Sequence, residues 1–140
     1  MPQACWSAAA RGEYWIDVDL GGHPLKLLID TGLLDARGQV GFSIEPSLYD
    51  TIKQAGGFRT HQLHTRLDAH GQLSLTESGS LNAQIICPQT RNAVGPVIHL
   101  YVFRGVAGVP DRVGMAFFHG LRGCKVLWDL DKREWCIEYP

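Results

Sequence analysis

Glycine interrupts this chain at short, uneven intervals. Sixteen of its 140 residues are Gly, well above the ~7% of an average protein, and they separate short apolar segments without a fixed period. The lack of a period excludes a solenoid. Short apolar runs bounded by Gly, Pro, Asn and Asp are the signature of strands joined by turns. The first such run covers residues 13–20, where Tyr14, Ile16, Val18 and Leu20 alternate with polar partners as in a half-buried strand. Gly21-Gly22-His23-Pro24 then reads as a tight turn. Residues 25–29 form a second strand, continuously apolar near its end, and the two strands make a hairpin.

Residues 39–44 read as a third strand. Pro46 follows at a first-turn helix position, with Glu45 or Ser47 placed to serve the free amides. Leu48, Tyr49, Ile52 and Ala55 share one helical face, and Gly56-Gly57 ends the helix. Residues 60–87 read as strand, turn, strand, turn, strand, with turns at Ala69-His70-Gly71-Gln72 and Glu77-Ser78-Gly79-Ser80. A strand follows at 97–104, then a loop at 105–112. A short helix over 115–121 carries Met115 and Phe118 inward, and a closing hairpin joins 124–128 to 134–139. The sequence shows no linker, so residues 1–140 read as one domain, with 1–12 as an extension or a disordered arm. A chain this long buries roughly two-thirds of its unfolded surface.

Composition narrows the function classes. Hydrophobic residues are 45% and charged residues 19%, which excludes a disordered chain. No apolar run approaches the ~18 residues of a membrane-spanning helix. Thirteen Lys+Arg against fourteen Asp+Glu leave no basic stripe for nucleic acid and no charge excess for a membrane surface. The start, Met1-Pro2-Gln3-Ala4-Cys5-Trp6, lacks a basic end and an apolar core of secretory type, so the expected compartment is the cytoplasm. Four cysteines without a C-x-x-C pair predict reduced, mostly buried thiols and no zinc ribbon. Cys124 with Cys136 is the alternative, a bridge that spacing alone does not establish. His61, His64, Asp68 and His70 lie close in sequence, but on a strand His61 and His64 point to opposite faces. They read as polar strand and loop residues, and no metal or cofactor is expected. Trp6, Trp15, Trp128 and Trp135 suit core or dimer contacts, because basic residues do not interleave with them.

The chemistry centres on Leu27-Leu28-Ile29-Asp30-Thr31-Gly32, which sets a carboxylate on a Gly-containing turn directly after an apolar strand. One reading is an Asx-type turn ending the strand. The other is a catalytic loop. From about Tyr14 to Glu138 the chain resembles the retropepsin-like aspartic proteases, in particular their small solitary bacterial members. Asp30-Thr31-Gly32 looks like the family's active-site loop. Residues 41–46 are similar to the segment after that loop, and 67–72 sit where the family has its flap hairpin. Residues 113–118 are similar to the segment leading into the C-terminal helix, and 126–138 to the closing hairpin.

The resemblance implies a closed all-β barrel of acid-protease type with one or two short helices. It also implies an aspartic endopeptidase acting on extended peptides without a cofactor. Because one Asp-Thr-Gly is present, a second copy must supply the second Asp30, in a two-fold homodimer. Asp30, Thr31 and Gly32 are the implied catalytic set: Asp30 for the chemistry, Thr31 to brace the paired loops, Gly32 to approach the substrate backbone. Leu34 and Asp35, with Ala69, His70, Gly71 and Gln72 at the flap tip, are the candidate substrate-binding residues. The apolar stretch 135–139 is expected in an intersubunit sheet. Three departures stand out. Leu33-Leu34 replaces a small residue and a polar one, Ala116 replaces an Asp, and Arg112 stands where an apolar residue precedes Val113-Gly114. They motivate an alternative: an inactive retropepsin-like dimerisation or peptide-binding module.

Overall fold

A computed structural model describes residues 2–9, 11–33, 40–67 and 70–140. Its strands are β1 (Gln3–Ser7), β2 (Trp15–Leu20), β3 (His23–Ile29), β4 (Val40–Ile44), β5 (Thr60–Leu67), β6 (Leu73–Ile86), β7 (Ala93–Arg104), β8 (Arg112–Val113), β9 (Lys125–Asp129) and β10 (Glu134–Glu138). The helices are α1 (Pro46–Gln54) and α2 (Met115–His119). The larger sheet runs β2-β3-β8-β4-β7-β6-β5, and β6 also pairs back to β2. That return pairing closes the sheet into a barrel, with β5 attached outside the ring. No helix is long and apolar enough to cross a membrane among the described residues.

The alternation in β2 does what its period requires. Ile16, Val18 and Leu20 are fully buried, where they meet Leu27, Phe42, Val102, Val113 and Phe117 in the core. The β2–β3 turn is made by Gly21 and Gly22 at φ 57° and 93°, a left-handed pair that Gly adopts without steric cost and that suits a two-residue hairpin. In α1, Tyr49 and Ile52 are buried as expected. The expected side-chain cap is not made. Glu45 holds the cap position, and its own N–H donates to Asp111 Oδ1 at 2.7 Å.

The second turn expected in 60–87 is instead the middle of β6. Ser78, Gly79 and Ser80 pair with β5 on one side and β7 on the other. A Gly flanked by two Ser resembles a turn in sequence, yet here each residue serves packing. The buried Ser80 hydroxyl shares a hydrogen bond with Thr60 Oγ1 at 2.7 Å, and Ser78 Oγ lies 2.7 Å from His64 Nε2. Those bonds satisfy polar groups that would otherwise be costly to bury. Gly79 leaves room for the Phe58 ring, which a Cβ there would overlap. The ring is backed by Tyr49 at 4.7 Å between centroids, so it has little freedom to withdraw. Gly79→Ala is therefore expected to destabilise the fold by about 1–3 kcal/mol, read as a lower urea midpoint. An unchanged midpoint would mean that the ring moves aside.

A second sheet, in the order β1-β10-β9, joins the two ends of the chain. β1 pairs with β10 from Gln3↔Glu138 to Ser7↔Glu134. Stacked indoles fasten this sheet, with Trp135 lying 4.6 Å from Trp6 and 5.5 Å from Trp128. Trp6 Nε1 donates to Asp17 Oδ2 at 3.0 Å, tying the sheet to β2. Two expectations change here. Both edges of β10 are taken within the chain, so 135–139 has no edge left for a partner strand. The cysteines are not all reduced: Cys5 bonds Cys136, while Cys87 and Cys124 are free thiols. Cys5 and Cys136 face each other directly in the β1–β10 register, a pairing that depends on the ends meeting and is invisible in spacing.

Candidate active site

Asp30 follows the last residue of β3. Its position is fixed by a parallel pairing with the two-residue strand β8, in which Leu28 pairs Arg112 and Ile29 pairs Val113. Leu28 N–H donates to the Asp111 carbonyl and Asp30 N–H to the Val113 carbonyl, both at 2.9 Å. β8 is wedged between β3 and β4 by further pairs, Phe42↔Val113 and Ser43↔Arg112. The backbone on either side of Arg112 is thus locked to the backbone entering the Asp-Thr-Gly loop.

Beyond β3 the chain turns on its own carboxylate. Gly32 N–H donates to Asp30 Oδ1 at 3.0 Å, and Leu33 N–H to the Asp30 carbonyl at 3.1 Å. This is the local geometry of an Asx turn, the first of the two sequence readings of the loop. One carboxylate oxygen orients the loop, while Arg112 takes the other, with Nη1 3.1 Å from Asp30 Oδ2. Both partners are partly accessible, Asp30 with 34% and Arg112 with 27% of its side chain exposed. The Arg112 Nε–H is buried without an acceptor among the described residues. Arg112 is the site residue that sequence reasoning left out of the catalytic set. Its signal was the charge standing before Val113-Gly114 where an apolar side chain was expected.

The other candidates fall into three groups. Thr31 and Gly32 are exposed beside Asp30, and Leu33 is half-buried. Leu34 and Asp35 lie outside the described residues, as do Asp68 and Ala69. His70, Gly71 and Gln72 are exposed at the turn of the β5–β6 hairpin, which closes at Leu67↔Leu73 with Gly71 at φ 77°. The hairpin expected over 67–72 therefore exists, on an element separate from the Asp30 loop. The histidines behave as a strand demands. His61 Nε2 lies 2.9 Å from Glu77 Oε2, whereas His64 reaches Ser78, the next residue along β6. Two adjacent β6 residues face opposite ways, and so do their histidine partners.

A path of contacts runs from the loop to the second sheet. Ile29 N–H donates to the Tyr14 carbonyl at 2.9 Å, and the Tyr14 ring meets Trp128 edge-on at 4.6 Å. Trp128, Leu127 and Val126 on β9 are 49%, 43% and 39% exposed, a run of apolar surface on a terminal strand of that sheet.

No protein-family model matches the chain, and no curated protein matches it by sequence. Among solved structures it is similar to a retropepsin-like aspartic protease from Rickettsia conorii. The match covers 99% of this chain and 91% of that one, with a TM-score of 0.63 and 14% identity. The fold is the retropepsin-like barrel. The expected all-β class with two short helices is therefore correct. At that identity the likeness concerns the backbone path.

Proposed function

We propose that this chain is an aspartic endopeptidase whose working unit is a two-fold homodimer. The observation carrying this reading is the carboxylate of Asp30, placed directly after a barrel strand with Oδ1 held by Gly32 N–H at 3.0 Å, Oδ2 against Arg112, and a third of the side chain exposed. In a dimer the Oδ2 oxygens of two such loops would share one water. Two carboxyls that close do not both ionise, so one proton is shared and the apparent pKa values separate. The ionised group takes a proton from the water, and the protonated one donates to the scissile carbonyl. Thr31 and Gly32, exposed beside Asp30, would contact a second loop and a peptide backbone. The apolar run on β9, linked to the loop through Tyr14, is surface that a second copy would cover.

One observation favours a different reading. Arg112 already occupies Asp30 Oδ2, at 3.1 Å. If it kept that place in a dimer, neither Oδ2 would be open to the shared water, as in a peptide-binding or dimerisation module without turnover. A peptide library, incubated with the protein from about pH 4 to 7, separates the two, provided molar mass is measured on the same sample. Pepstatin-sensitive cleavage by a species of twice the chain mass is the expected result. A strict monomer, or a dimer that binds peptides and cuts none at any of these pH values, would overturn the peptidase reading.

A further inference from the structure

Among the described residues, Arg112 is the charged side chain that pairs with the Asp30 carboxylate. It sits on Asp30 Oδ2, the oxygen opposite the one that accepts from Gly32 N–H, at 3.1 Å. Its resting pose is also incomplete, because the buried Nε–H has no acceptor among the described residues. A guanidinium has five donors arranged to grip a carboxylate with two parallel bonds. With Asp30 the structure gives it one bond, from Nη1. The backbone of β8 is fixed on both sides by β3 and β4. The side chain can therefore exchange partners while its anchor stays put, and 27% of it is open to an incoming ligand.

We propose that Arg112 is a carboxylate-binding subsite beside the Asp30 loop. A carboxylate on the bound peptide takes the guanidinium from Asp30 and satisfies it with a two-bond grip. Asp30 Oδ2 is then released for water. The subsite selects peptides with an acidic group next to the bond at the loop, either an Asp or Glu side chain or a free chain terminus. This rests on the peptidase reading for the cleavage step, but the subsite itself also holds in a module that only binds. The energetic logic is differential. A ligand shifts the Arg112 side chain only by interacting more strongly with its displaced position than with its resting one, and a neutral peptide offers no such gain.

The test uses three alanine-rich octapeptides: one with a central Glu, one with Gln in its place, and a Gln peptide with a free carboxyl terminus. The first two are amidated at the end. Each is titrated against the full chain and against Arg112→Leu, Arg112→Gln and Arg112→Lys, and cleavage is followed in parallel. The wild type is expected to bind the Glu peptide about tenfold or more tighter than the amidated Gln peptide. Arg112→Leu and Arg112→Gln lose that ratio, and Arg112→Lys keeps part of it. If the free terminus is the natural carboxylate, the third peptide shows the advantage in place of the first. If cleavage occurs, the ratio appears in kcat/KM, and Arg112→Leu raises cleavage of the Gln peptide while lowering that of the Glu peptide. Equal binding of all three peptides by the wild type, or an acidic preference that survives in both neutral variants, overturns the subsite. Cleavage without acidic preference removes the subsite and leaves the peptidase. Arg112-dependent binding without cleavage removes the peptidase and leaves the subsite.

Discussion

Asp30→Asn is expected to lower peptide cleavage by roughly 10³-fold or more, because it removes the group that takes and returns the proton. The substitution is close to isosteric, so the loop should survive. Asn still offers one oxygen, enough either for the Gly32 N–H or for Arg112, and the bond it forfeits is a partly exposed one. Partly exposed ion pairs contribute about 1 kcal/mol or less. The melting temperature should therefore shift little while turnover disappears, and the two readouts together separate chemistry from folding. In a dimer both copies carry the change, so no intact carboxylate remains in the working unit. If the variant cuts the library as fast as the wild type, Asp30 has no part in the mechanism, and the resemblance of the loop is structural only.

Opening the Cys5–Cys136 bridge is expected to cost about 2–5 kcal/mol of stability. The bond joins residues 131 apart in sequence. A crosslink over so long a loop removes much of the freedom of the unfolded chain. The strands it joins would remain paired from Gln3 to Ser7 and fastened by the stacked Trp6 and Trp135, so the double variant Cys5→Ser/Cys136→Ser should fold and melt at a lower temperature, by ~10 °C. Dithiothreitol should reproduce the loss in the wild type and leave the double variant unchanged. Four titratable thiols in the oxidised wild-type protein would show that the bond does not form. Bridges of this type persist in oxidising compartments and are rare where thiols are kept reduced. The thiol count of protein quenched in its host would show which kind of compartment holds this chain.

The elements that depend on local pattern were legible. The β2–β3 hairpin followed from alternation and two glycines, α1 from Pro46 and the spacing of Tyr49 and Ile52, and the placement of Asp30 from the apolar run before it. What was not legible depends on residues far apart. Ser78-Gly79-Ser80 has turn composition, and only the Phe58 ring and the strands on both sides make it the inside of β6. β1 is too short to announce itself and is defined by its partner at the other end of the chain. Arg112 was visible as a misplaced charge. Its partner could not be named, because β8 is two residues long and has no pattern of its own.

The sulfur bond between the paired ends makes nearly the whole polypeptide a covalent loop. A single cut anywhere from residue 6 to 135 would leave both fragments tethered. If the chain trims itself, or is trimmed by a host peptidase, an ordinary non-reducing gel would still show one band of full size. The nick would become visible only after reduction.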